Sequence, residues 1–381
     1  MKKNVLTLLL VLLTGATAAN AAVKIDSIYY NIVSTTMEAE VTSGPDYYRG
    51  DIVIPETITY KNMTLRVITI GNAAFQDCTN LTSVTIPASV TSISNAAFNG
   101  CTALTSIHVG ENVTNIGDAA FQGCTSLKAV YLPNTLTTIS YKAFQGCSNL
   151  ALINIPESVT TIGSSAFEDC TDLTEISLPK GLKKLANSTF QNCSSLYKVL
   201  IPASMTTIGK AAFMGCSMLM YISFRRVTSI GEDAFRDCTC LEKVNLPANI
   251  TEINYRAFQG CKSLTTVRMG NSVESLFSHA FGDCPALKEV YCPMEKIPST
   301  SADVFEGTPL QQATLYVPAS LLTAYKAVTP WKEFGQHTSI GGQSASQQQA
   351  EEQGSQNSQS ESKNGQTGKK WTTIYVNGEE Q

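Results

Sequence analysis

The side chains best suited to chemistry in this 381-residue chain are twelve cysteines and three histidines. Cysteine-rich proteins commonly use their thiols to form disulfide bonds or to bind zinc. Ten of the cysteines recur at intervals of 22 or 23 residues: Cys78, Cys101, Cys124, Cys147, Cys170, Cys193, Cys216, Cys238, Cys261 and Cys284. No two cysteines are separated by two residues, the spacing typical of a structural zinc site. The sequence therefore does not indicate zinc.

The regular spacing also argues against disulfide bonds. If residues one repeat apart stack like neighbouring strands, they lie about 4.8 Å apart, whereas the Cβ atoms of a disulfide approach to about 3.8 Å. A small thiol packs well in an apolar core. We therefore predict that the ten cysteines form a structural column of buried, reduced thiols, and that Cys292 also belongs to the core. Cys240 has no cysteine in the equivalent place of either neighbouring repeat, so we expect an unpaired, partly exposed thiol.

The histidines and carboxylates give no catalytic pattern. The sequence lacks the G-x-S-x-G, H-E-x-x-H, G-x-G-x-x-G and P-loop motifs. His108 falls at an outward strand position, and His279 precedes an Ala-Phe pair, where it is interpreted as a variable turn residue. We predict that the protein is not an enzyme and that it has no cofactor and no metal site.

A repeat of about 23 residues must position the cysteine column. Each of the ten cysteines follows a phenylalanine by three residues, and an eleventh phenylalanine keeps the same phase. The set comprises Phe75, Phe98, Phe121, Phe144, Phe167, Phe190, Phe213, Phe235, Phe258, Phe281 and Phe305. A fixed period of this length is typical of a solenoid, in which each repeat buries its apolar face against its neighbours.

Within one repeat, alternation predicts where each side chain points. Val84 and Ile86 point inward and Thr85 outward, which indicates a short strand that Pro87 ends because proline has no N–H to donate. A second apolar pair then predicts a second short strand. The Ala-Phe-x-x-Cys segment is interpreted as a short helical turn whose Phe and Cys share one face.

These residues resemble the leucine-rich repeat, and most closely its bacterial BspA-like branch. The resemblance rests on the unit Ala-Phe-x-x-Cys-x-x-Leu-x-x-Val-x-Ile-Pro-x-x-Val-x-x-Ile-Gly, which is matched from about residue 71 to 317. It implies a leucine-rich-repeat solenoid, with a parallel β-sheet along one face, short second strands and helical turns on the others, and a cap at each end. It also implies surface or secreted binding, often to host or matrix proteins, without naming a ligand.

The sequence divides into six segments. Lys2-Lys3, an apolar stretch and small residues with an A-x-A pattern are typical of an export signal. We expect a signal peptide at 1–22, an N-terminal cap at 23–70, repeats at 71–317, a C-terminal cap helix at 318–336, a flexible linker at 337–370 and an isolated strand-like tail at 371–381. The protein is thus expected to be exported and to be periplasmic, cell-surface or secreted, with no transmembrane segment.

The outward strand positions carry the candidate ligand-binding residues. Tyrosine and arginine often anchor interfaces, because they offer a large rigid area with a polar group. The candidates are Tyr131, Tyr197, Tyr221, Arg225, Arg226, Arg268, Tyr291 and Tyr316, with the later repeats favoured. A solvated sheet that tolerates tyrosine for its strand propensity explains them equally well.

The balance of charged residues limits the classes of binding partner that we expect. The chain has 27 basic and 31 acidic residues and no basic run beyond Arg225-Arg226, which argues against nucleic acid. We predict a monomeric, non-catalytic binding protein that engages a protein or polysaccharide, with host or matrix proteins among the candidates, in adhesion or another surface interaction. The alternative is a structural, self-associating surface component without a separate ligand.

Overall fold

The computed structural model describes residues 22–340 of the chain. These residues form two compact units, unit 1 up to Gly181 and unit 2 from Leu182. The predicted signal peptide up to residue 21, the predicted linker from residue 341 and the predicted tail lie outside the described residues. Between residues 22 and 340, no helix has the length and apolar character needed to cross a membrane.

Unit 1 begins with a cap of six strands. They are β1 (Val23–Ile25), β2 (Ile28–Val33), β3 (Glu38–Thr42), β4 (Arg49–Val53), β5 (Thr57–Tyr60) and β6 (Met63–Ile70). β1, β2 and β3 pair antiparallel, as do β5 and β6, whereas β6 lies parallel to β3. The buried ring of Tyr48 lies 4.5 Å from the ring of Phe75, so this cap covers the first phenylalanine of the repeats.

The repeats of unit 1 alternate between two rows of short strands. In chain order these are β7 (Asn80–Thr85), β8 (Ser92–Ile93), β9 (Ser106–His108), β10 (Asn115–Ile116), β11 (Ala129–Val130), β12 (Thr138–Ile139), β13 (Leu152–Ile153), β14 (Thr161–Ile162) and β15 (Glu175–Ser177). The first row holds β4, β7 and β9, which form one parallel sheet, and also β11 and β13, which pair with each other. The second row is one parallel ladder of β6, β8, β10, β12 and β14.

Unit 2 repeats the same two rows. Its strands are β16 (Lys184–Leu185), β17 (Lys198–Leu200), β18 (Thr207–Ile208), β19 (Ser229–Ile230), β20 (Lys243–Asn245), β21 (Glu252–Ile253), β22 (Thr266–Arg268), β23 (Ser275–Leu276), β24 (Glu289–Tyr291), β25 (Ser299–Thr300), β26 (Thr314–Val317) and β27 (Gln336–Ser339). The first row contains the parallel sheet β20-β22-β24-β26-β27, and the second row contains the sheets β16-β18-β19 and β21-β23-β25. The predicted solenoid of parallel strands is confirmed.

The C-terminal cap contains one α-helix, α1 (Leu322–Tyr325), and three 3₁₀ helices, Leu310–Gln312, Ala319–Leu321 and Trp331–Glu333. The rings of Trp331 and Phe334 lie 5.6 and 5.5 Å from that of Phe305 and cover the last phenylalanine. The predicted start of the linker at residue 337 is wrong, because β27 continues to Ser339 and pairs with β26. β27 is almost entirely polar, and backbone pairing to a neighbouring strand does not require the apolar side chains on which the sequence boundary was based.

The Ala-Phe-x-x-Cys segments are turns rather than the helical turns that the sequence predicts. The residues two before and two after the phenylalanine have positive φ, as at Ala119 (53°) and Gly123 (73°) around Phe121. Glycine, aspartate or asparagine occupies the second of these positions in the repeats, and these residue types tolerate left-handed backbone. The turn directs the Phe121 N–H to the carbonyl of Ala143 in the next repeat, 2.7 Å away, so this face also has an inter-repeat hydrogen-bond ladder.

Phenylalanine and cysteine form two parallel columns inside each unit. Successive phenylalanine rings are stacked, with centroids 4.9–5.5 Å apart in unit 1 and 5.3–5.9 Å apart in unit 2. The thiols donate hydrogen bonds to the phenylalanine carbonyl of the preceding repeat, as from Cys124 Sγ to Phe98 at 3.1 Å. All twelve cysteines are free; eleven are buried and Cys240 is half-buried.

Candidate ligand-binding surface

The side chains that flank the buried central residue of each first-row strand in unit 2 form what we term the outer strand face. Alternation directs them away from the core, because the residue between them is buried, as Val267 and Val290 are. The face comprises Lys198, Leu200, Tyr221, Ser223, Lys243, Asn245, Thr266, Arg268, Glu289, Tyr291, Thr314 and Tyr316. The fold does not require large side chains at these positions.

Three of the predicted candidates form one stacked row on this face. Arg268, Tyr291 and Tyr316 are in register on β22, β24 and β26. The guanidinium carbon of Arg268 lies 3.7 Å from the centroid of the Tyr291 ring. The rings of Tyr291 and Tyr316 are stacked at 4.3 Å with an angle of 4°. These contacts restrict all three side chains, which reduces the entropic cost of ordering them when a ligand binds.

Polar groups surround the stacked row. The hydroxyl of Thr266 donates to Glu289 Oε2 at 3.4 Å, and the hydroxyl of Thr314 donates to Gln336 Oε1 at 3.4 Å. Partial burial raises the pKa of the Tyr291 hydroxyl, although the Arg268 charge acts in the opposite direction. Tyr291 therefore remains a neutral hydrogen-bonding phenol at physiological pH. Asn245 on β20 pairs in register with Arg268 on β22, and its side-chain oxygen is buried without a hydrogen-bond partner.

A second group of candidates lies in the first repeats of unit 2. Tyr221 is 41 % exposed and forms an isolated parallel bridge with Lys198, which follows the equally exposed Tyr197. Leu200, Met218 and Met220 are also exposed, so this part of the unit carries several apolar side chains in solvent. Burial raises the pKa of Tyr221, whereas the Ser223 hydroxyl and the Arg225 charge lower it. Arg225 and Tyr221 are thus close enough to interact.

The repeat between Phe213 and Phe235 has 22 residues rather than 23, and it carries the candidates Arg225 and Arg226. Arg225 and Arg226 are both exposed, and Arg225 has a positive φ of 42°. Phe224, just before them, is buried and makes an edge contact of 5.5 Å with Phe235. It occupies the core position that Ile201 and Leu246 fill in the flanking repeats, where each is followed by proline.

Tyr131 belongs to unit 1. It is 64 % exposed and forms a parallel bridge with His108. His108 is also exposed, as expected for an outward strand position.

Sequence reasoning missed a row of charged residues in unit 2. The row lies on the face formed by the Ala-Phe-x-x-Cys turns, which we term the turn face. Asp233, Arg256, His279 and Asp303 each lie two residues before the repeat phenylalanine, and they therefore neighbour one another from repeat to repeat. Arg256 makes a bidentate pair with Asp233, with Nε–Oδ1 2.8 Å and an Nη2–Oδ2 hydrogen bond of 3.1 Å. Comparing this position across repeats would have found the row, because unit 1 has mostly alanine and serine there.

The buried thiols are poorly suited to reactivity. Burial raises the pKa of Cys101 and of Cys284 to about 12, so their thiolate forms are almost absent near neutral pH. Since the thiolate is the reactive form, these cysteines act as core residues.

Comparison with known proteins supports the resemblance seen in the sequence. The family model described as "BspA type Leucine rich repeat region" matches residues 55–167, 137–227 and 221–326, well over half of the chain. No curated protein matches the chain.

Several solved structures of bacterial proteins are similar to this chain. A leucine-rich repeat protein from T. pallidum is 30 % identical, with 54 % of this chain and 95 % of that chain covered and a TM-score of 0.49. One from Bacteroides ovatus is 26 % identical, with 84 % and 99 % covered and a TM-score of 0.49. A leucine-rich cell surface protein from Faecalibacterium prausnitzii is 23 % identical, with 88 % and 98 % covered and a TM-score of 0.49.

Proposed function

This chain belongs to the BspA-type leucine-rich repeat family, and from that premise we propose that it is an exported, non-catalytic binding protein. Its ligand is a protein or glycan, which it engages through the outer strand face of unit 2 in adhesion or another surface interaction. The observation that carries the proposal is the stacked row of Arg268, Tyr291 and Tyr316.

Two physical arguments support this surface. The row contributes little to the buried core, so the fold gives no reason for three large side chains at these positions. Tyrosine and arginine also dominate the energetics of measured interfaces, where truncating a central anchor typically costs about 2 kcal/mol or more, roughly thirtyfold in affinity.

A binding panel tests the proposal. The parent chain is assayed against immobilised extracellular-matrix proteins and polysaccharides, together with the variant Arg268→Ala/Tyr291→Ala/Tyr316→Ala. We expect that variant to lose at least about thirtyfold in affinity for the captured ligand. Because the three side chains are half-buried and stack on one another, its melting temperature should fall somewhat, so binding is measured well below that temperature, where circular dichroism shows both chains folded.

A control variant distinguishes the loss of this surface from the loss of tyrosines and a cation elsewhere on the chain. The variant Tyr141→Ala/Tyr255→Ala/Lys262→Ala also removes two tyrosines and one cation, all exposed and away from the outer strand face. The control should bind like the parent. Equal binding by the stacked-row variant would place the ligand elsewhere.

Self-association is the competing function. The exposed apolar residues Leu200, Met218 and Met220 favour it, since exposed apolar clusters mark contact surfaces. Light scattering after size exclusion distinguishes the two functions: our proposal predicts a monomer at high concentration, and concentration-dependent growth in mass would support self-association.

A further inference from the structure

The charged row on the turn face of unit 2 ends in three groups that converge. His279 precedes the Ala280-Phe281 pair, and Asp303 and Glu306 flank Phe305 in the next repeat. The imidazole Nε2 of His279 lies 2.9 Å from Glu306 Oε2, and its Nδ1 lies 3.4 Å from Asp303 Oδ2. One ligand atom from each of the three side chains falls within 4.8 Å of the others.

The backbone holds these groups in fixed relative positions. The N–H of Phe281 donates to the carbonyl of Val304 at 2.9 Å, and the N–H of Asp283 donates to the carbonyl of Glu306 at 2.8 Å. These inter-repeat bonds join the two turns that carry the three side chains. The convergence thus rests on the repeat framework rather than on long, independent loops.

Neighbouring hydroxyl groups orient the aspartate. Ser301 Oγ donates to Asp303 Oδ1 at 2.5 Å and Ser278 Oγ donates to Oδ2 at 2.7 Å. Partners that orient a metal ligand in this way are a regular part of protein metal sites. His279 and Asp303 are half-buried, whereas Glu306 is exposed, so the cluster can be reached from solvent.

We propose that His279, Asp303 and Glu306 form a binding site for a divalent transition-metal ion of the zinc class. One imidazole nitrogen and two carboxylates are ligand types that Zn²⁺ and Co²⁺ accept, and the nitrogen ligand disfavours Mg²⁺ and Ca²⁺. Tetrahedral bonds of about 2.0–2.1 Å place ligand atoms about 3.3 Å apart. A spread of up to 4.8 Å closes to that value by small side-chain movements.

Three protein ligands leave at least one coordination position open. Asp303 and Glu306 line a surface cleft together with Leu310, Gln311 and Glu333, so two of the three ligands border a space that an external group can enter. Such a site accepts water or a carboxylate from outside. It lies on the turn face, and it therefore does not depend on the proposed ligand surface.

Metal titration tests the site directly. The mature chain is produced without a histidine tag, with Cys240→Ser to remove its half-buried thiol, and is freed of metal with a chelator. Isothermal titration with ZnCl₂, and separately with CoCl₂, should show one site per chain. His279→Gln, Asp303→Asn and Glu306→Gln should each weaken binding at least about tenfold, since even residues that only orient a ligand typically cost 10–100-fold.

Two matched controls and a thermal assay complete the design. His108→Gln removes an exposed imidazole from unit 1, and Glu333→Gln removes another carboxylate from the same cleft. Both should bind like the parent, and Zn²⁺ should raise the melting temperature of the parent and the controls only. Absence of saturable binding, or binding that the three ligand variants leave unchanged, would overturn the proposal and leave His279 as an imidazole that pairs with two carboxylates.

Discussion

Replacing Phe121 with alanine removes one ring from the middle of the phenylalanine column in unit 1. The ring is fully buried and lies 5.1 Å from Phe98 and 5.1 Å from Phe144, with interplanar angles of 3° and 6°. The backbone bonds of residue 121 do not need the ring, since its N–H donates to Ala143 and its carbonyl accepts from the thiol of Cys147. The loss of stability in this variant can therefore be assigned to the side chain.

The expected cost is large. Truncating a buried phenylalanine to alanine typically lowers the free energy of unfolding by about 3–5 kcal/mol. Two stacked neighbours, each contributing about 0.5–1.5 kcal/mol beyond area burial, favour the upper part of that range. With a typical urea dependence of about 2–3 kcal/mol per molar, the unfolding midpoint should fall by roughly 1–2 M.

Urea unfolding followed by circular dichroism measures the midpoint, and hydrogen exchange shows where the structure opens. Because repeats interact mainly with their neighbours, exchange should increase around residues 98–144 before it increases elsewhere in unit 1. Tyr141→Ala, at a residue that is 47 % exposed, is the control and should shift stability by less than about 0.5 kcal/mol. An unchanged midpoint for Phe121→Ala would refute the stacked core.

Two further predictions concern the thiols. Titration of the native protein should find about one reactive thiol, Cys240, and twelve after denaturation; a mass lower by pairs of hydrogens would contradict this by indicating disulfide bonds. Burial raises the pKa of Cys101 and Cys284 to about 12 from an ordinary value of 9.0, so the folded chain keeps protons that the unfolded chain loses above about pH 9. The free energy of unfolding should then decrease as the pH rises from 9 towards 12, by up to about 1.4 kcal/mol per pH unit for each such thiol, and a flat stability profile measured by urea unfolding over that range would contradict it.

The core was predictable because its signal is periodic. Phe121 and Cys124 recur with their counterparts at a fixed spacing, and no single repeat can bury such a set alone. The outward direction of Arg268 and Tyr291 also followed from alternation. Their stacking did not, because it depends on the register of β22 and β24 and on the side-chain rotamers.

The backbone of the Phe–Cys turns and the polar strand β27 could not be predicted from the periodic spacing. The Phe–Cys segment has the spacing of a helical turn, but the left-handed residues at positions such as Ala119 and Gly123 direct its N–H groups to the next repeat. β27 has little apolar content, so composition alone placed it in a linker. The cluster of His279 with Asp303 and Glu306 joins residues from different repeats and appears only when equivalent positions are compared across repeats.

Hydroxyl-radical footprinting of side chains shows whether the outer strand face of unit 2 contacts the ligand. The captured ligand is mixed with the parent chain, both are exposed to hydroxyl radicals, and the oxidation of individual tyrosines is measured by mass spectrometry. We expect the ligand to protect Tyr291 and Tyr316, whereas Tyr255, exposed outside this face, should be oxidised as in the free protein. Protection of Tyr255 with no change at Tyr291 and Tyr316 would show that the ligand binds outside the outer strand face.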